Sequence, residues 1–274
     1  MKKKLNRHSA LIFFTLIFLS SFSTLTSAQT LHFLYKKSID TPKKVSTDTY
    51  GNLYLAIEDG VIRKYDPKGE LLNTYSPAQP AEITLLEAWK TVNTFAFYQD
   101  FQQLTLFDRQ LSKGETYYFS DFDFGFVTMA APAADDNYWA FDQVSFSLKK
   151  LNLKTREVFL EVPLDLVVSE DFTLKHIREY QNLLYFNTSI GIKIFDLFGN
   201  LIKTLPYTEA NQVNFYQNNL YFLGEGTINE INLYNSTTKT ITIPEGDFRF
   251  VLMHEKTAVL FSDNEMAFYR LDHE

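Results

Sequence analysis

The sequence predicts an all-β chain of six four-stranded sheets, and three observations carry the prediction. Aromatic residues are abundant, with 26 Phe and 16 Tyr in 274 residues, a composition that favours strands. A short apolar run recurs about every 40 residues along the chain. Each run is apolar at both parities, as expected of a strand buried on both faces.

The chain opens with a segment to be set apart. Lys2, Lys3, Lys4 and Arg7 precede the apolar stretch ALIFFTLIFL (Ala10–Leu19), and Thr26-Ser27-Ala28 follows as a cleavage site. Residues 1–28 thus read as a secretory signal peptide, because ten apolar residues are too few to span a bilayer as a helix. Removing four basic residues and no acid takes the formal charge from −7 to −11. With no cysteine, the chain offers neither a lipid attachment site nor a disulfide. The expected location is the periplasm or the medium, with no stable membrane anchor, and the expected state is a monomer. Residues 29–274 are expected to form one domain, long enough to bury a core without staples. The acidic balance disfavours nucleic acid.

The recurring runs are NLYLA at Asn52, NTFAF at Asn93, NYWAF at Asn137, NLLYF at Asn182, NLYFL at Asn219 and TAVLF at Thr257. Their spacings are 41, 44, 45, 37 and 38 residues. After a polar turn a second strand follows, ending at Asp66, Asp108, Asn152, Asp196, Asn232 and, as the odd one, Arg270. YDPKGELL (Tyr65–Leu72) and FDLFGNLI (Phe195–Ile202) share aromatic-Asp-x-x-Gly-x-Leu-aliphatic. Asp accepts from backbone N–H groups just ahead and Gly tolerates positive φ, so each is a hairpin turn. A period near 40 with about four strands per unit predicts a six-bladed β-propeller. The last unit lacks room for a fourth strand. LHFLYKKSI (Leu31–Ile39) is expected to supply it and close the ring, which removes an unpaired edge.

These repeats resemble the six-bladed propeller superfamily, nearest to NHL-type repeats of exported bacterial proteins, over essentially all of residues 29–274. The resemblance implies the fold. It implies little chemistry, since such propellers include lactonases, quinone-dependent dehydrogenases, lyases and binding platforms.

Motifs for catalysis are sparse. There is no Gly-x-Ser-x-Gly elbow, no phosphate-cradling glycine loop and no zinc spacing, so no catalytic residue, metal or cofactor is assigned. His176 and His254 lie near the first strands of units four and six at non-equivalent positions, and read as isolated inner-strand polar residues. Propellers of the lactonase type hold a divalent ion with oxygen ligands; on that resemblance Asp48, Glu87, Asn211 and Asn214 would be the ligands, with Met129 and Lys175 breaking the pattern.

The turn between second and third strands carries an acid in five units: Asp59, Asp100, Asp142, Glu225 and Asp263, with Ser189 in unit four. Loops on the same face include SDFDFGF (Ser120–Phe126) and PLDLVVSEDF (Pro163–Phe172). An acidic recognition surface is therefore expected there, with Phe122 and Phe124 among the charges. No basic stripe is expected on it, and Lys149, Lys150, Lys154 and Arg156 are placed near the outside of unit three. The favoured function is a non-enzymatic recognition platform for an envelope or extracellular protein or glycan. The alternative is a calcium-dependent hydrolase of lactonase type.

Overall fold

The computed structural model describes residues 30–165, 168 and 172–272. The expected signal peptide lies outside the described residues, as do Ser169, Glu170 and Asp171 of the Pro163–Phe172 loop.

Six four-stranded antiparallel sheets follow one another along the chain. Blade one holds β2 (Lys44–Thr47), β3 (Leu53–Ala56), β4 (Ile62–Tyr65) and β5 (Leu71–Tyr75). Blade two holds β6 (Leu85–Glu87), β7 (Thr94–Tyr98), β8 (Gln103–Phe107) and β9 (Gly114–Tyr118). Blade three holds β10 (Val127–Pro132), β11 (Tyr138–Asp142), β12 (Ser147–Asn152) and β13 (Glu157–Pro163). Blade four holds β14 (Leu174–Tyr180), β15 (Leu183–Thr188), β16 (Gly191–Asp196) and β17 (Leu201–Leu205). Blade five holds β18 (Asn214–Tyr216), β19 (Asn219–Gly224), β20 (Thr227–Asn232) and β21 (Thr238–Thr242). Blade six holds β22 (Phe250–His254), β23 (Thr257–Phe261) and β24 (Glu265–Asp272), and its outer strand is β1 (Thr30–Ser38). β1 pairs with β24 from Thr30–Asp272 to Ser38–Glu265, so the ring closes as expected.

Burial follows the blade geometry. Every residue of β3, β7 and β11 is buried, whereas no residue of the outer strands β5, β9 and β17 is. The core is therefore a set of seams between blades. Leu53, Leu55, Phe261 and Phe268 fill the seam between blades one and six. Phe97, Trp139, Leu148 and Phe186 belong to the largest cluster, spanning blades two to four.

Hairpin turns take their chemistry from the repeat. Asp66 Oδ1 accepts from the N–H groups of Lys68 and Glu70 at 2.8 Å each. Asp196 Oδ1 does the same for Phe198 and Asn200 at 2.9 Å, and Gly69 and Gly199 sit at φ 79° and 86°. Blade four departs by one residue from the repeat. Leu183, not Asn182, stands opposite Asp196, as Asn219 stands opposite Asn232 and Thr257 opposite Arg270. Gln181 and Asn182 are spent on the preceding turn, both at positive φ.

The loops between blades share one face with the turns between second and third strands. Gln143 N–H donates to Phe126 O at 2.8 Å, Ser189 N–H to Thr173 O at 2.9 Å and Arg249 N–H to Phe261 O at 2.7 Å. That linker face carries the candidate site.

Candidate functional site at the channel mouth

The first strands bring polar residues of three blades together. Glu87 ends β6, Ser46 lies on β2, and His176 and Arg178 lie two apart on β14, so they share a side of that strand. Glu87 Oε1 is 3.1 Å from His176 Nε2, and Arg178 Nη1 donates to Glu87 Oε2. Ser46 Oγ donates to Glu87 Oε2 at 3.3 Å and accepts from Ala88 N–H at 3.0 Å. The Glu87, His176 and Arg178 side chains are only 2–8% exposed. The guanidinium also lies 4.9 Å from the Trp89 ring and 5.9 Å from Phe215. Blades one, two and four therefore meet around a single carboxylate.

Two opposed effects set the charge of this cluster. Burial alone would push the Glu87 carboxyl up, but Arg178, His176 and Ser46 together outweigh it and hold the group below the ordinary carboxylate range. Burial lowers the Arg178 pKa against the attraction of Glu87. A guanidinium starts so high that it stays charged, so the pair is ionised. Glu87 can accept the His176 Nε2 proton, which leaves Nδ1 as an acceptor. That Nδ1 has no partner, nor does either side-chain amide atom of Asn187. Asn187 is the cross-strand partner of His176, and paired positions project to the same face of a sheet.

Above this cluster a cavity of about 1150 Å³ opens on the linker face. All six blades contribute, through Lys44, Leu86, Met129, His176, Glu225 and Val251 among others. Its charged lining is Lys43, Lys44, Lys175 and Arg249 against Glu209 and Glu225. Lys175 Nζ is held by Thr208 O at 2.9 Å and Asn211 Oδ1 at 3.1 Å, and Arg249 pairs with Asp263. Burial pulls the Lys44 ammonium below its ordinary pKa, and Glu82 offsets part of that. Four cations thus border the cavity in a chain of net charge −7, although no basic stripe is expected on this face.

The predicted site residues scatter. Asp59 and Asp100 are exposed at their turns, and of the five acids only Glu225 lines the cavity. Asp142 is 1% exposed and fully engaged. It accepts from Gly125, Phe126 and Val144 N–H groups and pairs with Lys149 Nζ at 3.0 Å. Burial pushes its carboxyl up, but these donors overcome that and hold it far below the ordinary range. Asp142 is an anchor for the Ser120–Phe126 loop, which corrects its assignment as an exposed contact. Phe122 and Phe124 are half-buried against the core, with Lys149 Nζ 4.9 Å from the Phe124 ring. Lys149 and Lys150 are likewise buried, not outer, and Lys150 pairs with Asp135 at 2.7 Å.

The four oxygen ligands suggested by the lactonase resemblance do not converge. Asp48 caps the turn between β2 and β3, accepting from Tyr50 N–H, Asn52 N–H and Tyr54 Oη. Asn211 holds Lys175, Asn214 Oδ1 accepts from Met253 N–H at 2.8 Å, and Glu87 is engaged by His176 and Arg178. Among the described residues no cluster of three or more His, Asp or Glu side chains could hold a metal ion.

His176, Arg178, Lys43 and Lys44 are the residues that sequence reasoning missed. Their signal was available: KHIREY places five polar groups on a strand expected to be internal, where charge is rare unless partnered. PKK stands directly before the first inner strand.

No protein-family model and no curated protein matches the chain. Among solved structures, it is similar to the β-propeller domain of Cps50 (Swd1) from Myceliophteria thermophila. That likeness has a TM-score of 0.64 at 10% identity and covers 88% of this chain and 100% of the other. It is also similar to a streptogramin B lyase, with a TM-score of 0.59 at 10% identity over 87% of this chain and 98% of the lyase. At such identity the likeness speaks for the fold, and a propeller carries the chain.

Proposed function

We propose that this propeller is a non-enzymatic recognition module, exported to the periplasm or the medium, whose channel mouth binds an anionic group of a protein or glycan. One observation carries the reading: a cavity built by all six blades is bordered by Lys43, Lys44, Lys175 and Arg249, and of these only Arg249 has an ion-paired acid among the described residues. Low-dielectric walls concentrate the field of like charges, which favours capture of an oppositely charged ligand. Lys43 and Lys44 make no side-chain hydrogen bond to another described residue, so both are available to a ligand. At about 1150 Å³ the cavity is somewhat larger than the roughly 300–1,000 Å³ of sites for drug-sized ligands. The signal-like first 28 residues support export.

The test is calorimetric titration with two anionic probes, a tetramer of a uronic acid and a tetramer of glutamate. At least one should bind, and Lys43→Glu/Lys44→Glu should weaken it at least tenfold, because a charge-assisted contact contributes about 1.5–3 kcal/mol. Asp59→Asn/Asp100→Asn should leave affinity unchanged. Binding that ignores the lysines but is lost with the aspartates would refute this reading in favour of the acidic rim.

A further inference from the structure

The lysines would accept any acid, but the walls and floor of the cavity are more selective. One wall is aromatic: Phe141, Phe146 and Phe172 form a triad with ring centroids 5.4, 5.6 and 6.0 Å apart, and all three border the cavity. Across the ring, blade six contributes Phe250, and Phe248 precedes it. Flat apolar faces beside charged and polar groups suit a ligand with its own apolar C–H faces and polar rim. Sugar rings have that form.

The floor makes a second, independent demand. His176 borders the cavity at 3% exposure with Nδ1 unpartnered, and beside it the Asn187 amide is unpartnered at both atoms. Buried polar atoms are rarely left so, because each costs stability when unmatched. With Nε2–H engaged by Glu87, Nδ1 requires a donor, while Asn187 offers both a donor and an acceptor. A hydroxyl entering from the cavity can donate to Nδ1. A carboxylate or a peptide carbonyl cannot, since neither donates.

Resting on the anion-binding reading above, we propose that the ligand is an acidic oligosaccharide of the uronic-acid type. Its carboxylates meet Lys43 and Lys44, its ring faces lie against the Phe141–Phe146–Phe172 wall, and a hydroxyl reaches His176. At about 1150 Å³ the cavity has room for several rings.

The experiment compares three tetramers by calorimetry on the folded chain: the uronic acid, its carboxyl-reduced neutral counterpart, and glutamate. The uronate should bind, with the other two at least tenfold weaker. Phe172→Ala should weaken uronate at least fivefold, and Phe172→Leu, which keeps most of the packing volume on Phe141 and Phe146 but not the flat ring, should also weaken it. Because His176 variants risk misfolding, the floor is read by nitrogen NMR of the imidazole, where uronate should shift Nδ1 and glutamate should not. Glutamate binding as tightly as uronate would overturn the saccharide proposal while leaving the anion reading intact. A neutral tetramer binding as tightly would overturn the charge-based reading instead. Binding by none of the three would overturn both.

Discussion

Glu87→Ala probes the cluster that joins the blades, and its cost follows from the contacts. Removing the carboxylate leaves the Arg178 guanidinium buried between Trp89 and Phe215 with no counter-charge, and its Nε already lacks a partner. Breaking one side of a buried pair costs about 3–5 kcal/mol. For a domain of this size each kcal/mol moves the melting temperature by about 2–4 °C, so the expected drop is about 6–20 °C. Urea denaturation should show a lower midpoint at unchanged slope, the mark of lost stability without a change in exposed surface. The double variant Glu87→Ala/Arg178→Met should recover most of the loss, since replacing both partners by apolar groups is often neutral. A cycle with the single Arg178→Met variant isolates the coupling. A loss under about 1 kcal/mol for Glu87→Ala, or a double variant worse than the single, would refute the argument that the pair is one electrostatic unit.

Three further outcomes follow from the same geometry. Deleting Leu31–Lys37 removes most of the β1–β24 ladder and exposes the edge of β24, so the melting temperature should fall by about 10 °C or more, or the protein should aggregate; an unchanged melt would contradict ring closure by this strand. The Glu87 and Asp142 carboxyls both titrate below their unfolded values, so the unfolded chain takes up protons first. Their contribution is full above pH of about 4–5 and disappears as pH falls towards the folded values; Asp142→Asn should flatten the decline in urea midpoint between pH 5 and 3 (~2 pH units), and an unaltered profile would show that Asp142 contributes nothing to acid stability. Excess calcium should leave the melt unshifted, because Asp48, Asn211 and Asn214 are engaged in separate contacts. A rise of about 5–10 °C, as for a ligand at about 100 times its Kd, would reinstate the metal reading.

The scaffold was legible in the sequence for physical reasons, and the site was legible only in part. Strand two of each blade is covered on both faces, so NLYLA and NYWAF are forced to be apolar at both parities and the period shows. The turns are equally plain, because Asp66 and Asp196 solve a local backbone problem with local residues. The site is assembled from residues far apart in sequence: Glu87 and His176, in the cluster below the cavity, are 89 positions apart, and no local pattern links them. The same physics misled at Asp142. Its turn position predicts exposure, but Lys149, seven residues on and paired with it, turns the carboxylate inward. Blade four hides its register because Gln181 and Asn182 form the turn, so the Asn that marks the repeat in its neighbours lies one residue early.

The central claim is that the cations of the channel mouth hold the ligand. It is tested most directly by the Kd of the uronate tetramer between 50 and 500 mM salt (roughly a tenfold range), for the native chain and for Lys44→Glu. The account predicts affinity that falls steadily with salt in the native chain, and that is weaker and less dependent on salt in the variant. Affinity that is independent of salt and untouched by Lys44→Glu would contradict it.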